Sequence, residues 1–228
     1  MTCAFIGIIL HTITLSNTLI LNTGLDLGFS NIASLTTWMI AVLLVLASIS
    51  KPVENLGILI FPCASVAQLI AVLSPSEQIL VDDVSRELQI HILISILAYS
   101  ILSIAAVQAL LVAIQDRHLR HRHPGGIIRA LPPLQTMESL LFEAIAAGFV
   151  LHSLALLTGV LFLTDIFAQH MVHKTVLSII AWIVFAILLW GRYYHGWRGK
   201  TAIRWTLAGF VILFLGYFGS KFVLEVLI

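Results

Sequence analysis

The stretch from Ile90 to Ile114 constrains this chain more than any other feature. It runs for 25 residues without an Asp, Glu, Lys or Arg. A run that long and that apolar crosses a bilayer as a helix, because about 20 residues rising about 1.5 Å each span a hydrocarbon core about 30 Å thick. Hydrophobic residues make up 60% of the chain and charged residues 10%, against roughly 25% charged in a soluble domain. Such a chain cannot cover a water-facing surface, so membrane lipid is its first expected partner. The net charge of +1 carries no bias toward nucleic acid, and none is expected. The longest polar connection runs from Gln115 to about Gln135, which leaves no room for a large catalytic domain outside the membrane. Residues 1–228 are expected to form a single integral membrane domain.

The expected fold class is all-α, a polytopic transmembrane bundle of about seven spans at roughly 3–21, 35–50, 54–73, 90–114, 138–163, 175–191 and 205–224. Each span must be helical, because the bilayer core offers no water to satisfy backbone N–H and C=O groups. The second is short, but its uncharged stretch begins at Leu27 and allows an earlier start. The first run, Cys3 to Leu21, has no basic residue before it and no small-x-small site after it, so it reads as a retained span rather than a cleaved signal. Lys51 lies in one connection, Arg117, Arg120, Arg122 and Arg129 in another, and Arg192, Arg198, Lys200 and Arg204 in a third. These three alternate along the chain, whereas the intervening connections carry only Arg86 and Lys174. The positive-inside rule then sets the amino terminus inside and the carboxyl terminus outside. Trp38, Trp190, Trp197 and Trp205 fall near expected span ends, where indoles favour the headgroup layer. From Ser76 to Gln89, Leu80, Val84 and Leu88 recur every fourth residue, the pattern of a short helix lying on the membrane surface and leading into His91.

Cys3 and Cys63 have neither C-x-x-C spacing nor a following histidine, which excludes a thioredoxin-like motif and covalent c-type haem attachment. Both are expected to be inert packing residues. No phosphate-binding loop, G-x-S-x-G or H-E-x-x-H is present, and no turnover chemistry is expected. Gly209, Gly216 and Gly219 in the last span suit close helix packing.

The histidines are what remains. A neutral imidazole ligates iron through one ring nitrogen while the other is held by a neighbour. Two histidines from different helices grip a haem without any contiguous motif. His91, His170 and His173 fall on the expected outer side. His91 is either a ligand or an interfacial histidine bonded to headgroups or a loop. His170 and His173 stand one helical turn apart, and are either a weak metal pair or part of an ordinary polar loop. His11 and His152 sit at mid-membrane depth. They either pair across two helices around a b-type haem or are satisfied by carbonyls and by Thr12, Thr14, Ser16 and Ser153. His118, His121 and His123 are interleaved with arginines that repel a divalent cation, which favours contact with anionic lipid. Glu143, about a turn inside the fifth span, is expected to snorkel or to pair with an arginine, with a proton relay as its functional alternative.

Several stretches are familiar in order: Lys51-Pro-Val-Glu-Asn-Leu-Gly, His91-Ile-Leu-Ile-Ser-Ile-Leu-Ala-Tyr-Ser, Leu134-Gln-Thr-Met-Glu-Ser-Leu-Leu-Phe-Glu and Leu156-Leu-Thr-Gly. They continue with His173-Lys-Thr-Val-Leu-Ser-Ile-Ile-Ala-Trp, Trp190-Gly-Arg, Gly196-Trp-Arg-Gly-Lys and Gly216-Tyr-Phe-Gly. Together they resemble the cytochrome c assembly (CcsA/HemX-like) membrane family, nearest its bacterial inner-membrane YpjD-type branch. The resemblance covers most of the chain and is strongest from His91 onward. It implies a multi-pass inner-membrane protein that handles haem. Synthesis members of the family display haem on a tryptophan-rich W-x-W-D loop flanked by two outer histidines. His91 matches the first of these. The loop corresponds to about Thr164 to Leu177, where Lys174 and Trp182 match its later part but the tryptophans and the W-D pair are replaced. The family's intramembrane histidine in the sixth span falls at Trp190. Its second flanking histidine follows the last span, and this sequence stops at Ile228.

The resulting expectation is non-covalent haem binding near the outer face, in support of cytochrome c maturation or haem homeostasis, with haem-handling or cytochrome maturation proteins as partners. His91 is the first candidate ligand, then His173 and His170, with His11 as a mid-membrane alternative. Haem iron is the only metal expected. The rival is a haem-free membrane scaffold or accessory subunit that binds another integral membrane protein. Transport of a small solute along His11, His152 and Glu143 ranks last.

Overall fold

The computed structural model describes residues 2–21, 24–26, 28–73, 79–80, 85–120, 131–162 and 172–219. Seven α-helices account for most of them: α1 Thr2–Leu19, α2 Phe29–Ser48, α3 Gly57–Leu73, α4 Arg86–Arg120, α5 Leu134–Phe162, α6 Val172–His195 and α7 Lys200–Phe214. A 3-10 turn, Glu54–Leu56, leads into α3, and a π-helical turn, Leu215–Gly219, continues α7. Six of these helical stretches are long and apolar enough to cross a membrane, and α1 is a shorter apolar helix. The expected helical membrane bundle is therefore what forms.

Most helices begin before the expected span starts, though α1 and α2 end two residues short of the expected ends. Phe29–Ser48 begins six residues before the expected 35, Leu134–Phe162 four before 138, and Val172–His195 extends 175–191 at both ends. Hydropathy marks only the apolar centre of a helix, whereas the backbone ladder continues into its polar ends. Several expectations fail. Ile79–Leu80, placed in a surface helix over 76–89, is a strand (β3) pairing antiparallel with Gly24–Asp26 (β2), which also pairs with Ile20–Leu21 (β1). Backbone pairing with the segment after α1 there replaces an amphipathic turn, and Arg86–Gln89 is already the first turn of α4. Trp38 also lies mid-helix rather than at a span end, with its indole N–H donating to Thr12 on α1 at 2.9 Å.

Helices α4, α5, α6 and α7 form a ring, each touching the next, while α2 packs on α4 and carries α1 and α3 outside it. Small residues set the closest approaches. A Cβ on Gly148 of α5 would stand 2.6 Å from Leu102 of α4, and one on Gly209 of α7 would stand 2.9 Å from Phe185 of α6. Leu102, Ala105, Ala109 and Phe185 are fully buried along these seams. Without a hydrophobic driving force inside lipid, such close packing and interhelical hydrogen bonds hold helices together. Gly216 similarly admits Leu177 of α6, with a Cβ distance of 3.0 Å, whereas among the described residues Gly219 meets Leu215 of its own turn. The close-packing expectation thus holds for Gly209 and Gly216, while no interhelical contact of Gly219 is seen among the described residues. Cys3 and Cys63 are exposed on the bundle's outside rather than packed within it.

Polar contacts gather the three basic connections at one end. Lys51, after α2, pairs with Glu143 of α5, the partner expected to be an arginine. Gln115 near the end of α4 donates to the Pro132 carbonyl at 2.9 Å, and Gln108 donates to the Met137 carbonyl at 3.0 Å. The α6–α7 connection turns on Gly196 and Gly199, whose φ angles of 65° and 58° favour glycine. Gly199 N–H donates to buried Glu138 at 2.9 Å, and Arg198 donates to the same carboxylate.

Candidate functional site

At the opposite end, α4 and α5 bring His91 to Thr158. His91 stands in the second turn of α4 and Thr158 one turn before α5 ends. The antiparallel register that sets Gln108 against Met137 brings His91 level with Leu154 on α5, one turn before Thr158. Nδ1 of His91 lies 3.0 Å from Oγ1 of Thr158. That hydroxyl is itself 3.0 Å from the carbonyl oxygens of Leu154 and Ala155, one turn back on α5. The Ala155 carbonyl also lies beside the imidazole. Among the described residues, Nε2 of His91 makes no hydrogen bond. The ring is half-buried, held by a neighbour at one nitrogen and open at the other. That donor set fits one axial position on a haem iron.

The other candidates are held differently. His173 is exposed in the first turn of α6 and makes no hydrogen bond among the described residues. His170 lies outside the described residues. His11 on α1 is joined through Nε2 to Ser34 of α2 at 2.9 Å, and Ser34 in turn donates to Oε1 of Gln68 on α3. Its Nε2 is therefore committed to a chain that ties the first three helices together. His152 is buried on α5, and its Nε2 donates to the Ser178 carbonyl of α6 at 3.1 Å. The two mid-membrane histidines thus engage different helix pairs and do not face one another, and partners of the bland kind satisfy them. His118 bonds to the Ile114 carbonyl of its own helix. Among the described residues, no group of three His, Cys, Asp or Glu side chains is placed to hold a metal ion.

Two surrounding features escaped the sequence reading. Thr158 lies within the quoted Leu156-Leu-Thr-Gly stretch, but only the α4–α5 register reveals what it touches. Eight residues along α4 from His91, Tyr99 packs against Phe210, Tyr217 and Phe218, with ring centroids 5.5–5.8 Å apart, and Phe218 meets Phe29 of α2. A groove of about 360 Å³ opens between α2 and α3, lined by Phe29, Ala33, Pro62, Cys63, Val66 and Ile70 among others. His91 is not part of its lining.

Comparison with known proteins places this geometry in context. A family model described as Cytochrome C assembly protein matches residues 2–228. The inner membrane protein YpjD of Escherichia coli strain K12 is 34% identical over 98% of this chain and 86% of its own length. The cytochrome c biogenesis protein CcsA of Chlamydomonas reinhardtii is 25% identical over 75% of this chain and 50% of its own length. No solved structure matches the chain.

Proposed function

This chain belongs to the cytochrome c assembly protein family as a multi-pass inner-membrane protein, and we propose that it binds haem non-covalently near the outer face, in support of cytochrome c maturation or haem homeostasis. The observation that carries the proposal is the state of His91: its Nδ1 is held by Thr158 at 3.0 Å, and its Nε2 has no hydrogen bond among the described residues. An interhelical partner at one nitrogen and an unclaimed lone pair at the other is the arrangement of a haem-ligating histidine. Bound haem supplies an iron whose axial positions accept imidazole nitrogen. His173, exposed at the start of α6, is the first proposed partner ligand and His170 the second. His11 ranks below them because Ser34 occupies its Nε2.

The proposed orientation has the amino terminus inside and the carboxyl terminus outside. Its support is the gathering of the Lys51, Arg117 and Arg192–Arg204 connections at one end of the bundle, where positive charge favours the cytoplasm. His91 then stands at the outer rim. Haem-handling or cytochrome maturation proteins are the proposed partners, and the proposal includes no turnover chemistry.

The test is the visible spectrum of detergent-purified protein from haem-replete cells, oxidised and then reduced. A Soret band with reduced-state α and β bands supports haem binding. A colourless preparation overturns it and favours a second reading, a haem-free accessory subunit. The apolar α2–α3 groove supports that alternative by offering a surface for another membrane helix.

A further inference from the structure

We propose that Thr158 is a positioning residue that fixes the tautomer of His91, holding the proton on Nδ1 and leaving the Nε2 lone pair for a ligand. The inference rests on the haem reading only for what the lone pair meets; the tautomer itself is a property of this chain alone.

A threonine hydroxyl has one proton to donate and lone pairs to accept with. Within a helix that proton goes to a carbonyl one turn back. Thr158 has two such carbonyls at 3.0 Å, those of Leu154 and Ala155. With its proton committed to α5, the oxygen can meet the His91 ring only as an acceptor. The ring nitrogen at 3.0 Å must then carry a hydrogen, and that nitrogen is Nδ1. A neutral imidazole has a single N–H, so Nε2 is left unprotonated. Because the acceptor sits on α5 and the histidine on α4, the most extensive helix contact in the molecule also sets the ring's rotation. His152 provides an internal contrast: its Nε2 faces the Ser178 carbonyl and must carry the hydrogen, so its free lone pair is on Nδ1. The two histidines are locked in opposite tautomers by what their partners can accept.

The experiment is two-bond 15N–1H correlation of the imidazoles in full-length protein in micelles, without added haem and at a pH where histidine is neutral. His91 is assigned by the signal lost in His91→Gln. The expected wild-type pattern is Nδ1–H at His91 and Nε2–H at His152. In Thr158→Val, which keeps the shape and removes the hydroxyl acceptor while leaving the Ala155 carbonyl beside the ring, the preference of His91 for Nδ1–H is expected to fall measurably, and Thr158→Ser is expected to restore it while His152 stays unchanged in both. Wild-type His91 protonated on Nε2 overturns the assignment, as does a Val variant with an unaltered pattern. A change at His152 as well as His91 in the Val variant also overturns it, since the effect would then be one on the whole bundle. With haem added, Thr158→Val is expected to weaken binding by about tenfold to a hundredfold, the usual effect of losing a ligand's outer partner. A wild-type protein that takes up no haem yet has Nδ1–H at His91 overturns the haem reading and leaves the tautomer assignment standing.

Discussion

Glu138 caps helix α7 from across the bundle: its Oε1 accepts the backbone N–H of Gly199, the N-cap residue, at 2.9 Å. The carboxylate is buried, with a side-chain exposure of 8%, whereas its second partner, Arg198, is 59% exposed. A negative charge at a helix N-terminus also meets the positive end of the helix dipole. Removing it leaves Arg198 free to turn to water but strands the Gly199 N–H. Glu138→Ala is therefore expected to destabilise the protein by about 1 kcal/mol, toward the low end of the cost of an unsatisfied donor because Gly199 is only half-buried. Glu138→Gln, which keeps the acceptor, should cost less. Thermal unfolding in detergent checks the order, and equal losses for both variants would contradict it.

The Lys51–Glu143 pair joins the α2–α3 connection to α5, but its side chains are 45% and 51% exposed. Solvent screening limits such a pair to about 0–1 kcal/mol. A double-mutant cycle with Lys51→Ala and Glu143→Ala should give a coupling in that range that shrinks with added salt. A coupling well above it would mean that the pair is sealed from solvent.

Gly209 and Gly219 should respond differently to the same change. A methyl on Gly209 meets the ring of Phe185 at 2.9 Å, and that ring is fully buried. Gly209→Ala is expected to cost about 1–3 kcal/mol, as overpacking does. A methyl on Gly219 meets Leu215 no closer than 3.6 Å, an ordinary contact, so Gly219→Ala should leave the unfolding temperature near that of the wild type. The two measured side by side isolate packing from composition.

His11→Ala removes the link from α1 to Ser34 and Gln68. Interhelical hydrogen bonds inside membranes average about 0.6 kcal/mol, with the strongest at about 1.7, so a small fall in stability is expected. Any Soret band should persist, because the proposed iron ligand is on another helix. Loss of the band in this variant would move the site to the first three helices.

Much of the bundle was legible in the sequence because lipid imposes a simple rule: an uncharged run such as Ile90–Ile114 must satisfy its own backbone and so becomes a helix. Helix ends were less legible. Leu134 and Val172 begin their helices in sequence too polar to register as span. The Ile79–Leu80 strand was invisible because its partner lies more than fifty residues away, at Leu25–Asp26, and the recurrence of Leu80, Val84 and Leu88 every fourth residue pointed to a helix. For the candidate site, histidine identity and depth singled out His91, but its hydrogen-bond partner, Thr158, lies 67 residues downstream. The same limit applied to Glu143, whose depth suggested a basic partner but whose actual partner, Lys51, follows from how the α2–α3 connection reaches α5.

Haem titration of the purified protein against its His91→Ala variant, with His152→Ala as the control, tests the proposed function most directly. The expected result is a saturable Soret band in the wild type, retained in His152→Ala and lost or greatly weakened in His91→Ala. An equal band in all three, or none in the wild type, would contradict His91 as the haem ligand.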